Sequence, residues 1–339
     1  MPRSTIARID LDALRRNFQT AQRRAGGARV MAVVKADGYG HGIGPVASAL
    51  DSLAPKYAVA CLEEARAIRE TGLIQPVVLL QGVHAEADID ECARSGFEPV
   101  FHSFQQLAWL ERLDTWPAFW LKVNSGMNRL GFHPDELAGV MSRLQAMSAD
   151  TELLGFVTHF ACADDPDSAM TAQQTTVFEK ATSSFPDLMK SVANSAAHFR
   201  PGQPMFDWSR PGIMLYGGSP MVGTTGPELG LEPVMSLEAP LISTRMVPAG
   251  ESVGYGASWV ADRDTRMGMV AIGYGDGYPR TVKEGTPVWL NGRLVPIVGR
   301  VSMDMLCVDL GAEAHDQVGD RVVLWGKELP VENIADCAG

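Results

Sequence analysis

Basic charge is scarce in this chain: 29 Lys and Arg stand against 40 Asp and Glu, for a formal net charge of −11. Binding to a phosphate backbone calls for a clustered basic face, and no run of Lys and Arg supplies one, so no nucleic-acid partner is expected. Long apolar runs are missing too. No segment approaches the ~18 apolar residues of a membrane span, and the opening MPRSTIARIDLDALRRN lacks a signal-peptide core. The expectation is a cytoplasmic protein with no membrane partner. Cysteine is sparse: Cys61, Cys92, Cys162, Cys307 and Cys337 are scattered and odd in number. With no CxxC pair and no HExxH, neither a disulfide framework nor a metal site is expected.

What is present is a globular composition, 46% hydrophobic over 339 residues, a length that suits one large domain and one smaller. From about residue 10 to 229, short apolar runs alternate with amphipathic helical patterns, which predicts a parallel sheet with helical crossovers. The runs are Val30 to Val34, Tyr57 to Leu62, Pro76 to Leu80, Glu98 to Phe101, Phe119 to Val123, Leu153 to Val157, Ser191 to Ala193 and Gly212 to Tyr216. Eight runs in this length suggest an α/β fold, a (β/α)8 barrel. A doubly wound sheet competes, but polar candidates leave from many different runs, and a closed barrel gathers them at one mouth. After Leu231-Glu232-Pro233-Val234 the segments become short, β-rich and broken by Gly, Pro or Asn-Gly. They read as a smaller, mostly antiparallel β domain. The expected division is 8–229 for the barrel and 230–339 for the β domain.

Chemistry points first to Lys35. The stretch Ala32-Val33-Val34-Lys35-Ala36-Asp37-Gly38-Tyr39-Gly40-His41-Gly42 delivers a lysine from a buried strand into a glycine-rich turn. Desolvation there favours an unprotonated amine, which forms a Schiff base with an aldehyde. Lys122 lies in the fifth run, His159 follows the sixth, Asn194 and Ser195 follow the seventh, and Arg210 precedes the eighth. Singly, each has a plain structural reading; jointly they can converge at the mouth of a barrel. Ser195, Gly212 and the backbone of Ile213 offer phosphate donors near the last two runs, and Tyr39 adds a hydroxyl. A dinucleotide fingerprint at Gly38 to Gly44 fails on spacing and lacks a placed acidic residue.

The run AVVKADGYGHG resembles the cofactor-lysine motif of bacterial alanine racemases, fold-type III pyridoxal 5′-phosphate enzymes. Further matches follow in order: KVNSGMNRLGF from Lys122, THFACAD from Thr158, ANSAA from Ala193, SRPGIMLYG from Ser209, VGYGA from Val253, IGYGDGYPR from Ile272 and GRVSMD from Gly299. The resemblance spans nearly the whole chain. It implies interconversion of L- and D-alanine by two-base proton transfer, for peptidoglycan or alanine catabolism, with pyridoxal phosphate in the barrel. Lys35 would hold the aldehyde and serve one face of the substrate, and Tyr255 would serve the other across a homodimer interface with shared active sites.

The same resemblance gives roles to other residues. Arg210 would donate to an unprotonated ring nitrogen, and His159, linked to Arg210, would tune the basicity of Tyr255, while Tyr39, Asn194, Ser195, Gly212 and Ile213 would hold the rest of the cofactor. Arg129 would bind the phenolic oxygen and the substrate carboxylate, and Met303 and Asp304 would reach the partner's substrate region. Lys122 matches a lysine that is carbamylated in several members. Tyr274, Asp164, Arg280 and Arg300 match an access corridor. It also assigns residues 1–7 to the β domain, with Ser4 to Ile9 as a strand. Asn124 departs from the family's usual Asp, removing a charge near Lys122, and the pattern carries another phosphate-binding tyrosine beyond Gly339. Two other classes compete. A non-catalytic pyridoxal phosphate-binding barrel would lack the β domain, and a fold-type III decarboxylase would place an acid where Arg210 stands.

Overall fold

A computed structural model describes residues 5–113, 115–147 and 152–339. The expectation for residues 1–4 lies outside these. Two compact units emerge: Leu11–Thr224, and Thr225–Gly339 together with the N-terminal stretch up to Asp10. The division falls at Thr224/Thr225, where the sequence suggested 229/230.

The first unit is a closed parallel barrel of Arg29–Val33, Lys56–Val59, Val77–Leu79, Phe97–Phe101, Phe119–Lys122, Leu153–Val157, Met189–Ser191 and Trp208–Ser209. The first strand pairs with the last through Arg29↔Trp208 and Val30↔Ser209, which closes the ring. Helices form the outer layer where apolar residues recur at helical spacing. In Leu62–Glu70, Leu62, Ala65 and Ile68 are buried, and Glu63 and Glu64 sit in the first turn, where the helix dipole favours carboxylates. Inside the barrel, Met31, Val33, Ala58, Val78, Val100, Trp120, Val157 and Trp208 make one apolar cluster. Trp120 is fully buried, so truncating it to Ala is expected to cost about 3–5 kcal/mol.

One strand is corrected. The apolar run expected as the eighth strand, Gly212 to Tyr216, is a 3-10 turn over Ile213–Tyr216, and the strand is Trp208–Ser209. Gly212, at φ −118° and ψ −91°, leaves the extended region, so Met214, Leu215 and Tyr216 after it are buried by a turn. Arg210 therefore follows the last strand and sits at its C-terminal end.

The second unit is an antiparallel sheet. Its order is Ile6–Ile9, Met235–Val247, Thr265–Val270, Leu306–Asp309, Arg293–Val298, Pro287–Leu290 and Arg321–Trp325, and Met235–Val247 also pairs with Arg321–Trp325. Ile6–Ile9 pairs with Met235 to Glu238. Asn291 and Gly292 both adopt positive φ between two strands, the two-residue hairpin that Asn-Gly favours. Leu241, Val270, Val288, Ile297, Val308 and Val322 fill the core. The helix Val331–Ala338 was not foreseen. Among the described residues, no helix is long and apolar enough to cross a membrane.

Candidate active site

Lys35 leaves the first barrel strand into an unusual turn. Ala36, Asp37, Gly38 and Tyr39 all lie in the left-handed region, with φ of 54°, 52°, 62° and 55°. For a residue with a Cβ this costs roughly 1–2 kcal/mol, so the surroundings must hold it. Gly38 N donates to Val34 O at 2.9 Å and Gly42 N to Asp37 O at 2.9 Å. The Asp37 carboxylate accepts from Ile43 N at 2.8 Å. The Tyr39 ring stacks on Tyr216 at 4.7 Å, and Tyr216 donates its hydroxyl to Val33 O at 3.1 Å. The lysine is thus presented by a rigid, strained turn at the C-terminal end of a strand.

That end opens into a cavity of about 480 Å³, a size suited to a small ligand. Lys35, Tyr39, Lys122, Arg129, His159 and Arg210 line it, together with Asn194, Ser195, Gly212 and Ile213. The barrel therefore brings together every candidate that the sequence placed in this unit. Asp164 also lines it and is the single carboxylate among the described lining residues, against four cationic side chains. In a chain of net charge −11, that concentration of positive charge favours an anionic ligand.

Arg210 is 5% exposed. Its guanidinium donates to the Ser191 hydroxyl and the carbonyls of Thr158 and Val192, none of them a carboxylate. Burial pushes it down to about 10, which still leaves a cation at neutral pH. His159 is pushed down to about 3, chiefly by burial and then by Arg210, Lys122, Arg129 and Lys35, so its ring is neutral. Lys122 falls to about 8 through burial, then Arg210, Arg129 and Lys35. The loop that carries Arg129 closes back on the Lys122 strand end, where Phe132 N donates to Lys122 O at 2.8 Å and Asn124 N to Phe132 O at 2.9 Å. Asn124 shapes that loop, its side-chain oxygen accepting from Gly126 N at 3.2 Å and Asn128 N at 3.0 Å.

The donors around Gly212 suit a phosphate. Ser195 Oγ lies 2.8 Å from Gly212 N, and a Cβ on Gly212 would strike the Tyr39 hydroxyl, so glycine alone lets these groups approach. Two hydroxyls, a bare glycine and the amide edge of the 3-10 turn form a small cradle. The amine of Lys35 and the guanidinium of Arg210 line the same cavity. The donor set fits a phosphorylated aromatic aldehyde such as pyridoxal phosphate: hydroxyls for the phosphate, an amine for the aldehyde and a cation that cannot accept the ring's proton.

Tyr255, Tyr274, Met303 and Asp304 lie in the β unit. Tyr255 is 68% exposed and Met303 54%. Gly275 N donates to Met303 O at 2.8 Å, and Gly256 stands beside the Arg300 guanidinium. The loops bearing these residues are therefore neighbours. Leu80 and Gln81, which also line the cavity, were not picked out from the sequence, where they look like an ordinary strand exit.

A parallel barrel with an appended antiparallel unit, carrying a lysine and a cationic cleft at its strand ends, defines a (β/α)8-barrel enzyme suited to a phosphorylated ligand. Residues 9–220 match the family described as alanine racemase, N-terminal domain, and residues 234–339 the alanine racemase C-terminal domain. The alanine racemase of Marinobacter nauticus is 62% identical over 339 residues, covering 100% of this chain and 95% of the relative. A crystal structure of biosynthetic alanine racemase from Pseudomonas aeruginosa is 43% identical with a TM-score of 0.95, covering 99% of this chain and 94% of that one. The Bartonella henselae enzyme, described with covalently bound pyridoxal phosphate, is 30% identical with a TM-score of 0.89, covering 99% and 94%. The chain belongs to the alanine racemase family, whose members are isomerases.

Proposed function

We propose that this protein interconverts L-alanine and D-alanine in the cytoplasm, using pyridoxal phosphate held at the barrel mouth. The observation that carries the reading is the convergence of Lys35, Arg210 and the Ser195–Gly212–Tyr39 cradle on one cationic cavity. Membership of the family and the bound cofactor described for the Bartonella henselae relative support it. When bound, the cofactor supplies an electron-withdrawing ring that makes the substrate's α-proton acidic.

The chain's own residues do the rest. Lys35 would hold the cofactor's aldehyde, and its free amine would take or return the substrate's α-proton on one face. Arg210 would donate to the ring nitrogen without surrendering a proton, which would limit how much charge the ring draws and disfavour side reactions. Asn194, Ser195, Tyr39 and Ile213 secure the phosphate end, and neutral His159 borders the same cavity. Lys122, half deprotonated near pH 8, can add carbon dioxide to give a carbamate and a released proton; the resulting anion holds Arg129 against the substrate carboxylate.

The second face needs its own acid and base, and we assign it to the partner's Tyr255 in a homodimer with shared sites. The exposure of Tyr255 and the adjacency of the loops carrying Tyr274, Met303 and Asp304 suit that face to meet a second copy. Met303 and Asp304 would border the substrate region, with Tyr274 guarding access. Mixing inactive Lys35→Ala and Tyr255→Phe subunits tests the arrangement: hybrids should recover activity, and inactive verified hybrids would refute it. Likeness to a relative described as biosynthetic favours supply of D-alanine for peptidoglycan. The primary test is optical rotation followed from each alanine enantiomer with cofactor added. Both should decay to the racemate, and an unchanged rotation from either would overturn the function.

A further inference from the structure

Glu64 is a carboxylate beside the cleft that the proposed chemistry leaves unused. It stands in the first turn of Leu62–Glu70, on a different element from Lys35. Its two carboxylate oxygens accept from two backbone amides: Oε1 from Ala36 N at 2.6 Å and Oε2 from Ala60 N at 2.8 Å. Ala36 N belongs to the peptide directly after Lys35 and opens the left-handed turn. Ala60 follows the second barrel strand and itself lines the cavity. One carboxylate therefore ties the strained peptide beside Lys35 to the wall of the next strand.

A turn of left-handed residues persists only where contacts over-determine it. Its later part is secured from within, by Gly38 N to Val34 O and Gly42 N to Asp37 O, and by the stacking of Tyr39 on Tyr216. Its first amide has no partner within the turn, as at the start of any helix, and Glu64 supplies a charged acceptor there. We propose that Glu64 is a positioning residue for Lys35, fixing the direction in which the lysine stem leaves the barrel and hence where its amine lies over the cleft. Alanine at 64 frees both amides. Glutamine keeps one acceptor but turns an NH2 group toward the other amide, so its defect should be intermediate. Glu63 shares the helix terminus and the charge but makes neither bond, which makes Glu63→Gln the matched control.

This inference rests on the reading of Lys35 as the cofactor lysine, and the experiment separates the two. In full-length Glu64→Ala, Glu64→Gln, Glu63→Gln and parent protein, three quantities are measured: amide hydrogen exchange at Ala36 and Ala60, the rate at which added pyridoxal phosphate becomes borohydride-fixable on the Lys35 peptide, and kcat and KM for alanine. Glu64→Ala should exchange both amides at least tenfold faster, label Lys35 at least tenfold more slowly and lose kcat tenfold or more with KM within about twofold. Glu64→Gln should fall between, and Glu63→Gln should match the parent. A purely structural role would lower the amount of folded protein without splitting kcat from KM. If Glu64→Ala does not fold, Glu64→Gln carries the comparison. Parent-like labelling and kcat in the Glu64 variants would overturn the positioning role, whereas a parent that labels no Lys35 would overturn the cofactor reading itself.

Discussion

The two ends of the barrel treat buried charge in opposite ways. Toward its N-terminal end, Lys56 meets Glu98 at 2.6 Å, both side chains under a tenth exposed. Trp120 Nε1 donates to the same carboxylate at 2.8 Å, and the Lys56 ammonium lies over the rings of Trp120 and Trp208 at 5.4 and 5.0 Å. Charge there is matched and sealed. At the C-terminal mouth, Lys35, Lys122, Arg129 and Arg210 face a cavity with Asp164 as their one carboxylate among the described lining residues. Matched charge closes a structure, and unmatched charge leaves it a ligand to bind. The contrast agrees with the general division of this fold into a stabilising face and a reactive one.

The largest expected effect strikes the mouth alone. Lys35→Ala should lower kcat for both directions of racemisation by about 10³-fold or more, with little change in melting temperature. A variant that kept activity within tenfold, measured from both enantiomers, would place the chemistry elsewhere. The reverse pattern is expected at the other end. Glu98→Ala strands Lys56 in the interior and should cost about 3–5 kcal/mol in denaturant unfolding. The double change Lys56→Met with Glu98→Leu removes both charges and should recover most of that loss. If the single change proved silent, the sealed pair would not differ from the open mouth.

A finer test uses Lys122. Because burial and neighbouring cations hold it down at about 8, its amine becomes neutral as the pH rises through that value. With 13C-labelled carbon dioxide, a carbamate resonance should grow over the same range, and Lys122→Arg should abolish it. The smallest effect comes from a third buried site that avoids charge altogether. Burial, and then Arg24, push His198 down to about 4, against an ordinary value near 6.5. Above that ordinary value both states are neutral and nothing changes. As pH falls through the window toward 4, the unfolded chain takes up a proton that the folded chain refuses, so stability declines by at most about 1.4 kcal/mol per pH unit. His198→Gln should flatten the slope of unfolding free energy against pH in that window.

The barrel was legible because apolar runs and amphipathic helices alternate, and the mouth because its polar residues follow those runs. The eighth strand was misplaced since Ile213 to Tyr216 is as apolar as a strand, whereas Trp208–Ser209 is too short to register as a periodic signal. The left-handed turn after Lys35 was illegible for a different reason: Ala36, Asp37 and Tyr39 do not ordinarily adopt that conformation, and the contacts forcing it come from Tyr216 and Glu64, distant in sequence. Glu64 itself is one of two adjacent carboxylates in the first turn of its helix. Only the fold shows which of the two turns back to the strand exits.

The most direct test of the open, cationic mouth is a single mapping experiment. The protein is incubated with pyridoxal phosphate, reduced with borohydride and digested, and the labelled peptide is identified by mass. The account predicts one labelled site, Lys35. Label on Lys122, or spread over surface lysines with Lys35 unmodified, would contradict it.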